Sequence, residues 1–308
     1  MPTSTPKKPP CLGHGDHWEA LGLDLDKALL PLLEAIVKNG TSVRKFSAPW
    51  GKVRNADLLQ FEWKQASLVF AEICEVERQM KKLRLISAFP ILTKTEEWIV
   101  RVDRAHDCYG AFESVIEGRT ASGHSLQWFA PQFGFEGKVW HPGGLVRVAF
   151  AALALKLEPY DAKPIVIDRG PLVDEERKRL RAEGKIDEAR RKGITVEVIT
   201  SELRTFYSQV HDHHEFVGRI ERVRPIRPRP EFRGWLLDVE VLPDRPATGS
   251  RMPLYVFPAA LGDYRPRRGD LVHGTAWLQG RWVRRADKAD RAAWRACGGK
   301  GQGVPSSG

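Results

Sequence analysis

The stretch Gly269-Asp-Leu-Val-His-Gly-Thr-Ala-Trp-Leu278 opens a β-strand that the sequence predicts from Leu271 to Val283. Side chains of a strand alternate between two faces, so residues two apart share a face. One face is apolar and is expected to line a core, with Gly274 between its members: Val272, Ala276 and Leu278. The other face carries His273, Thr275 and Trp277. The Gly-Asp pair is expected to form the turn before the strand.

Similar short apolar runs recur in two regions of the chain, separated by glycine and proline. Residues 211–285 contain three more, which are Phe216–Val223, Trp235–Leu242 and Pro253–Phe257. Residues 96–160 contain four, which are Trp98–Asp103, Phe112–Glu117, Leu126–Phe129 and Leu145–Phe150. β-Branched and aromatic runs of this length and spacing are typical of an antiparallel barrel or sandwich. We therefore predict a first β-barrel-like domain at 96–160 and a second at 211–285.

The two β regions share a short motif. Trp140-His-Pro-Gly-Gly-Leu-Val in the first aligns with Tyr264-Arg-Pro-Arg-Arg-Gly-Asp-Leu-Val in the second once a gap of two residues is allowed. In each region an aromatic residue and a proline precede a strand that ends near a leucine, Leu153 or Leu278. The motif indicates two diverged copies of one small barrel. Chance similarity in a chain rich in glycine and proline is the alternative.

The other segments are predicted to be helical or disordered. Residues 1–20 are expected to be a disordered tail, 21–95 an N-terminal helical section, 161–210 a charged helical connector and 286–308 a flexible tail. A helix is predicted from Asp26, as N-cap, to Gly40. A second is favoured from Asp57 to Leu83, although Leu68–Val76 also fits a strand. The charged residues from Asp174 to Lys192 predict a solvated helix.

Residues 216–283 resemble the OB-fold, the five-stranded oligonucleotide- and oligosaccharide-binding barrel. The resemblance rests on Val217-Gly-Arg-Ile in a first strand, Trp235–Leu242 as a second, Pro253–Phe257 as a third and residues 269–278 as the entry to the last hairpin. The phrase Arg-x-Gly-Asp-x-Val-x-Gly, from Arg267 to Gly274, is similar to turn-forming segments of many small bacterial barrels. The resemblance implies a mainly β (α+β) fold with two OB-like antiparallel β-barrels, the N-terminal helical section and the charged connector. It indicates no specific family with a known activity.

Composition and charge exclude several classes of protein. The chain has 308 residues and a net charge of +10, and it contains no apolar run of the ~20 residues that a membrane-spanning helix requires. Its first ten residues lack the apolar region of a signal peptide, and its four cysteines are scattered. We therefore predict a cytoplasmic protein with no membrane partner and no small-molecule cofactor.

Positive charge is concentrated in the C-terminal part, where 18 Lys and Arg face 11 Asp and Glu from His211 onward. The segment Arg222–Arg233 is predicted to be an extended loop, because its alternating prolines oppose regular pairing. In the OB-fold, the loop between strands one and two contacts nucleic acid. The resemblance implies the same role for this segment. The arginines predicted to bind phosphate are Arg219, Arg222, Arg224, Arg227, Arg229, Arg233, Arg267, Arg268 and Arg281. The alternative is that the arginines reflect a GC-rich genome and that the segment is a soluble loop without a ligand.

Three aromatic residues are expected to point away from the core and to stack on bases: Tyr255, Phe257 and Trp277. The alternative is that these rings pack beneath the N-terminal section or against the first barrel. Asp238 and Glu240, on the outward face of their strand, oppose a wholly basic groove.

The sequence contains no recognisable catalytic signature. His211-Asp-His-His214 and Cys11-x-x-His14-x-x-His17 do not match a closed zinc pattern, and adjacent His213 and His214 are expected to point in different directions. The leading hypothesis is a non-enzymatic protein that binds single-stranded or structured DNA or RNA. The alternative is a protein-interaction adaptor in a larger bacterial assembly, encoded on a mobile element. A metal-dependent hydrolase is the third hypothesis.

Overall fold

The computed structural model describes residues 17–23, 29–46, 56–61, 68–77, 82–108, 113–136, 139–190, 193–198, 204–210, 212–229, 232–242 and 250–299. The helices are α1 (Leu30–Asn39), α2 (Phe133–Glu136), α3 (Pro171–Ala182), α4 (Ile186–Arg190), α5 (Pro258–Leu261) and α6 (Lys288–Ala296), and a 3₁₀ turn at Trp18–Leu21 precedes them. The first eight strands are β1 (Thr41–Phe46), β2 (Ala56–Phe61), β3 (Leu68–Glu77), β4 (Lys82–Leu92), β5 (Glu96–Cys108), β6 (Glu113–Arg119), β7 (Ser125–Ala130) and β8 (Leu145–Pro159). The others are β9 (Ile165–Ile167), β10 (Val196–Val198), β11 (Thr205–Val210), β12 (His213–Arg229), β13 (Phe232–Glu240), β14 (Arg251–Val256) and β15 (Leu271–Arg285). The prediction of a mainly β fold is confirmed.

The described residues of the section from 21 to 95, which was predicted to be helical, form mostly a β-sheet. Helix α1 ends just before Gly40, as expected, but β1 to β4 follow it as an antiparallel sheet in chain order. The helix favoured from Asp57 to Leu83 is therefore wrong. Residues Leu68–Ala71 within it are all buried, and a continuous apolar run of this kind does not distinguish a buried strand from a helix.

One nine-stranded sheet contains the remaining long strands, and its pairings close into two rings of five. In the first ring β5 pairs with β6, β6 with β7, β7 with β15, β15 with β8 and β8 with β5. In the second ring β12 pairs with β13, β13 with β14, β14 with β8, β8 with β15 and β15 with β12. The steps from β7 to β15 and from β14 to β8 are parallel. Because β8 and β15 belong to both rings, neither half of the chain completes its ring alone.

The two rings have the same register. The parallel step pairs Phe129 with Gln279 in the first ring and Tyr255 with Leu153 in the second. A displacement of 126 residues relates Phe129 to Tyr255 and Leu153 to Gln279, and it also relates the first residues of β8 and β15. This register supports the prediction of two diverged copies.

A glycine turn and a strand bulge also recur in both rings, the turn at a displacement of 126 residues and the bulge at one of 118. Gly143 donates its N–H to the carbonyl of Val102 at 2.7 Å, and Gly269 donates to Ile220 at 2.8 Å. Both glycines have a left-handed φ, 78° and 92°, which costs little without a Cβ. The register of β5 shifts between Val102 and Arg104, and that of β12 shifts between Ile220 and Arg222. A bulge re-aims the side chains that follow it, so each ring carries an arginine at the same point after its bulge.

The connector and the C-terminal residues differ from their predictions. The charged helix expected from Asp174 to Lys192 is two helices, α3 and α4, because Gly184 has a left-handed φ of 77° between them. The predicted flexible tail at 286–308 includes α6, which Asp287 caps and whose Trp294 is buried. The domain boundaries at 96–160 and 211–285 stay predictions, but both regions contribute to one sheet.

Two apolar layers lie on opposite faces of the central strands. The inner faces of both rings share one core, which includes Trp98, Val148 and Leu237. The outer faces of the central strands are covered by the N-terminal sheet and the 3₁₀ turn, which contribute Phe70 and Trp18. This second layer determines which parts of the second ring are open to solvent.

Candidate nucleic-acid interface

The aromatic residues expected to stack on bases are buried. The predicted alternation of faces is correct, because Leu254 and Val256 lie in the inner core while Tyr255 and Phe257 face the other way. The N-terminal sheet covers that other face, and it leaves Tyr255, Phe257 and Trp277 only 0%, 1% and 0% exposed. Stacking on bases requires open rings, so this part of the prediction is wrong.

The segment Arg222–Arg233, predicted to be an unpaired loop, forms part of a β-hairpin. β12 continues to Arg229 and pairs with β13, with Pro225 opposite Trp235. β15 pairs with β12 only as far as Arg219. Proline lacks a backbone donor and is tolerated on an edge strand, so the alternating prolines do not prevent pairing on one side.

The hairpin divides the predicted arginines between its two faces. Opposed residues of an antiparallel pair share a face, so Arg222 lies on the outer face with Asp238, and Arg224 follows on that face. Arg233 is exposed and falls on the other face by the period of two, and Arg227 is exposed within a second bulge of β12, between Ile226 and Arg229. The predicted arginines of this segment therefore do not all lie on one face of the hairpin.

Arg222 and Arg224 line an open polar cleft of about 400 Å³ on the outer face of the second ring. Strands β12, β13 and β14 contribute one side of it, and the connection from β4 to β5, where the N-terminal sheet ends, contributes the other. The lining residues are Thr93, Lys94, Thr95, Glu96, Arg222, Arg224, Asp238, Arg251 and Pro253. The volume lies within the range of small-ligand sites, about 300–1,000 Å³.

The lining of the cleft has a net positive charge, with four cationic side chains and two carboxylates. Asp238 Oδ1 lies 2.6 Å from Arg224 Nη2, and its Oδ2 lies 3.7 Å from Arg222 Nε. At the rim, Arg251 Nε lies 2.8 Å from Glu221 Oε2. The Arg224 Nε is buried and has no hydrogen-bond partner among the described residues. Each guanidinium has five N–H donors, of which Asp238 engages only a part, and the others that face the cleft can bind an entering anion.

A residue expected to bind bases instead holds the wall of the cleft. The Tyr255 hydroxyl oxygen accepts a hydrogen bond of 2.7 Å from the backbone N–H of Lys94. Burial raises the pKa of Tyr255 to about 12, because a phenolate is poorly solvated there. Gln279 donates to the Pro90 carbonyl at 2.7 Å and accepts from the Leu92 N–H at 3.1 Å. These bonds fix the β4–β5 connection to the nine-stranded sheet.

The other predicted arginines are not part of the cleft lining. Arg219 is half-buried just before the bulge of β12, and Arg229 is the last residue of that strand. Arg267 and Arg268 are exposed in the turn before β15. Arg281 is half-buried close to the Tyr255 phenol, where its charge opposes the rise of that pKa.

Two cations of the cleft, Lys94 and Arg251, were not predicted from the sequence. Lys94 is the centre of a polar Thr-Lys-Thr turn between two apolar runs, and Arg251 begins β14. The polar turn was the one local signal available for Lys94. Its meeting with Arg251 requires the N-terminal sheet to lie on the second ring, and a sheet was not predicted there.

His213 and His214 lie on opposite faces of β12, so the prediction that they point in different directions is confirmed. His214 is fully buried and stacks on Phe206 with ring centroids 4.4 Å apart, and burial lowers its pKa to about 3. His213 faces His17 across 3.0 Å. Cys11, His14 and His211 lie outside the described residues. Within the described ranges, no group of three or more His, Cys, Asp or Glu side chains is placed to hold a metal ion.

Comparison of the chain with protein-family models, with curated proteins and with solved structures finds no match. Among the described helices, none is long and apolar enough to span a lipid bilayer.

Proposed function

We propose that this chain is a non-enzymatic nucleic-acid-binding protein with two OB-like barrels. Its cleft at Lys94, Arg222, Arg224 and Arg251 binds the phosphate backbone of single-stranded or structured DNA or RNA. The observation that carries the proposal is that four cations from three separate segments of the chain meet on the outer face of the second ring.

The ring geometry supports the OB-like part of the proposal. Each ring has five strands, and each has a four-residue helix, α2 or α5, between its third strand and the long strand that follows. The departure from the OB-fold lies in the fifth strand, because β15 completes the first ring and β8 completes the second.

The position of the cleft supports nucleic acid as the ligand. OB-folds bind oligonucleotides on the face of strands two and three and on the loop between strands one and two. β12, β13 and β14 are the first three strands of the second ring, and the β12–β13 hairpin carries exposed Arg227 and Arg233 beyond the cleft. Guanidinium groups suit phosphate because they donate two parallel hydrogen bonds.

The number of cations sets the expected salt dependence. Each phosphate neutralised on a single strand contributes about −0.7 to the slope of log K against log salt concentration. Four cations in the cleft therefore predict a slope of about −2.8 for single-stranded ligands. Because Asp238 and Glu221 offset part of this charge, the binding is expected to be moderate in strength.

Fluorescence anisotropy tests the proposal with labelled DNA and RNA oligonucleotides and the full chain, over a range of salt concentrations. We expect binding at low salt that weakens as salt rises. Absence of binding at low salt, or binding without a salt slope, would reject the nucleic-acid ligand.

A second candidate, the protein-interaction adaptor, is supported by apolar side chains exposed on the connector. Val166, Leu172 and Ile186 are 63%, 47% and 50% exposed, and apolar surface of this kind is a feature of interaction sites when it is contiguous. Purification from native cells with and without nuclease separates the two functions. Nuclease-resistant association with one protein favours the adaptor, whereas loss of the associated material on nuclease treatment favours nucleic acid.

A further inference from the structure

One histidine from each of two motifs that are distant in the sequence, His17 and His213, meet at one point of the fold. His17 immediately precedes the 3₁₀ turn and His213 is the first residue of β12. Their Nε2 atoms lie 3.0 Å apart, although 196 residues separate them in the chain. The ring centroids are farther apart, at 4.7 Å, so each imidazole directs its Nε2 atom toward the other ring.

The surroundings hold the His17 ring in a fixed orientation. His17 is only 5% exposed, and its ring packs on Trp277 with a centroid distance of 4.6 Å. Asp212 in turn accepts a hydrogen bond from the Trp277 indole N–H. Among the described residues, His17 is the one non-glycine residue with a left-handed φ, 54°. Such a backbone is strained for a non-glycine residue and is often found at functional sites.

The geometry of the pair suits a shared metal ion. Two Zn–N bonds of 2.0–2.1 Å at the tetrahedral angle place their nitrogen atoms about 3.3 Å apart, so the ion requires the rings to separate by a few tenths of an ångström. The other ring nitrogen of His17, Nδ1, lies 3.8 Å from Glu19 Oε1. A carboxylate that accepts a hydrogen bond from the second nitrogen is the usual outer partner of a metal-bound histidine, and the Glu19 side chain has to approach by less than about 1 Å to form that bond.

We propose that His17 and His213 bind one divalent transition-metal ion of the zinc class through their Nε2 atoms. Imidazole suits zinc, copper and nickel, and the pair leaves two tetrahedral positions for water or other donors. The ion joins the residue before the 3₁₀ turn to the start of β12, and thus holds the N-terminal layer on the nine-stranded sheet. The site does not depend on the proposed binding of nucleic acid.

Isothermal titration calorimetry tests the site with zinc chloride and the untagged full chain after treatment with a chelator. We expect one Zn²⁺ per chain, with an affinity at least tenfold lower in both His17→Ala and His213→Ala. The matched control is His273→Ala, which removes a partly exposed histidine of β15 and should leave the affinity unchanged. Absence of zinc binding by the folded wild type, or unchanged binding in both variants, would overturn the site.

A second measurement guards against variants that fail to fold. His17→Gln and His213→Gln keep a hydrogen-bonding side chain of similar length but remove the imidazole ligand. In the wild type, ¹H–¹⁵N spectra of the imidazoles should show zinc-dependent shifts of the His17 and His213 Nε2 signals, with the signals of buried His214 unchanged. Shifts confined to other histidines would contradict the site, since an ordinary N–H···N hydrogen bond then explains the 3.0 Å contact.

Discussion

Gly280→Ala is expected to destabilise the first ring although residue 280 belongs to the second half of the chain. A methyl group there would lie 2.4 Å from Trp128 Cδ1 and 2.8 Å from Phe150 Cε1. Both aromatic rings are fully buried in the inner core, so neither side chain is a flexible end that can move aside. Overpacking of this kind costs about 1–3 kcal/mol, and we expect a loss of about 2 kcal/mol in the free energy of unfolding.

Urea denaturation followed by far-ultraviolet circular dichroism measures this loss, and Trp128→Phe provides the matched partner. That variant removes the indole nearest to residue 280, whose buried N–H has no hydrogen-bond partner within the described residues. In the double variant we expect a loss smaller than the sum of the single losses by about 1 kcal/mol. Unchanged stability of Gly280→Ala, or strictly additive losses, would refute the insertion of β15 into the first ring.

Three further substitutions test the cleft wall, a buried histidine and the charge of the cleft. Tyr255→Phe removes the acceptor of the Lys94 N–H bond and should lower the free energy of unfolding by about 1 kcal/mol; an unchanged urea midpoint would contradict the anchoring role. His214 has its pKa lowered by burial to about 3, but it titrates near pH 6.5 when unfolded. Between pH 6.5 and pH 3 the unfolded chain binds a proton at His214 that the folded chain does not bind. The free energy of unfolding therefore falls by about 1.4 kcal/mol per pH unit as the pH decreases through this range, and it does not depend on His214 above about pH 6.5. His214→Phe should remove this fall in the free energy of unfolding between pH 6.5 and pH 3. An equal fall in the variant and the wild type would contradict the assigned role of His214. Asp238→Asn removes the carboxylate beside Arg222 and Arg224. Two unit charges 4 Å apart in water interact by about 1 kcal/mol, so removal of the repulsion between Asp238 and a phosphate should tighten oligonucleotide binding, measured by anisotropy, about fivefold. Equal or weaker binding would argue against phosphate in the cleft.

The strands of both rings were predictable because their signal is local. Trp235–Leu242 and Pro253–Phe257 alternate with a period of two, and the alternation assigned Leu254 and Tyr255 to opposite faces correctly. The cover over the outer face was not predictable in this way. Leu68–Ala71 is apolar at every position, so the period that separates a strand from a helix is missing there.

The closure of the rings depends on contacts between distant residues. β14 pairs in parallel with β8 through Leu254 and Ala152, and no pattern within either strand specifies the other as its partner. β15 completes the first ring and β8 completes the second, because these two strands pair with each other along most of their length. No pattern in either strand predicts that pairing.

The candidate cleft was therefore predicted in part. Arg222 and Arg224 were identified because arginines cluster in one segment of the sequence. Their separation from Arg227 and Arg233 follows from the β-hairpin, whereas the alternating prolines predicted an unpaired loop. Lys94 joins them only because the Tyr255 hydroxyl and the Gln279 amide hold the end of the N-terminal sheet.

The salt slope of binding by a paired variant tests the cleft most directly. The double variant Arg222→Ala/Arg224→Ala should bind single-stranded oligonucleotides with a slope less steep than that of the wild type by about 1.4, because two phosphate contacts are lost. The matched control is Arg291→Ala/Arg295→Ala, which removes two exposed arginines of α6 and should keep the slope of the wild type. Equal slopes in all three proteins would contradict the assignment of phosphate binding to this cleft.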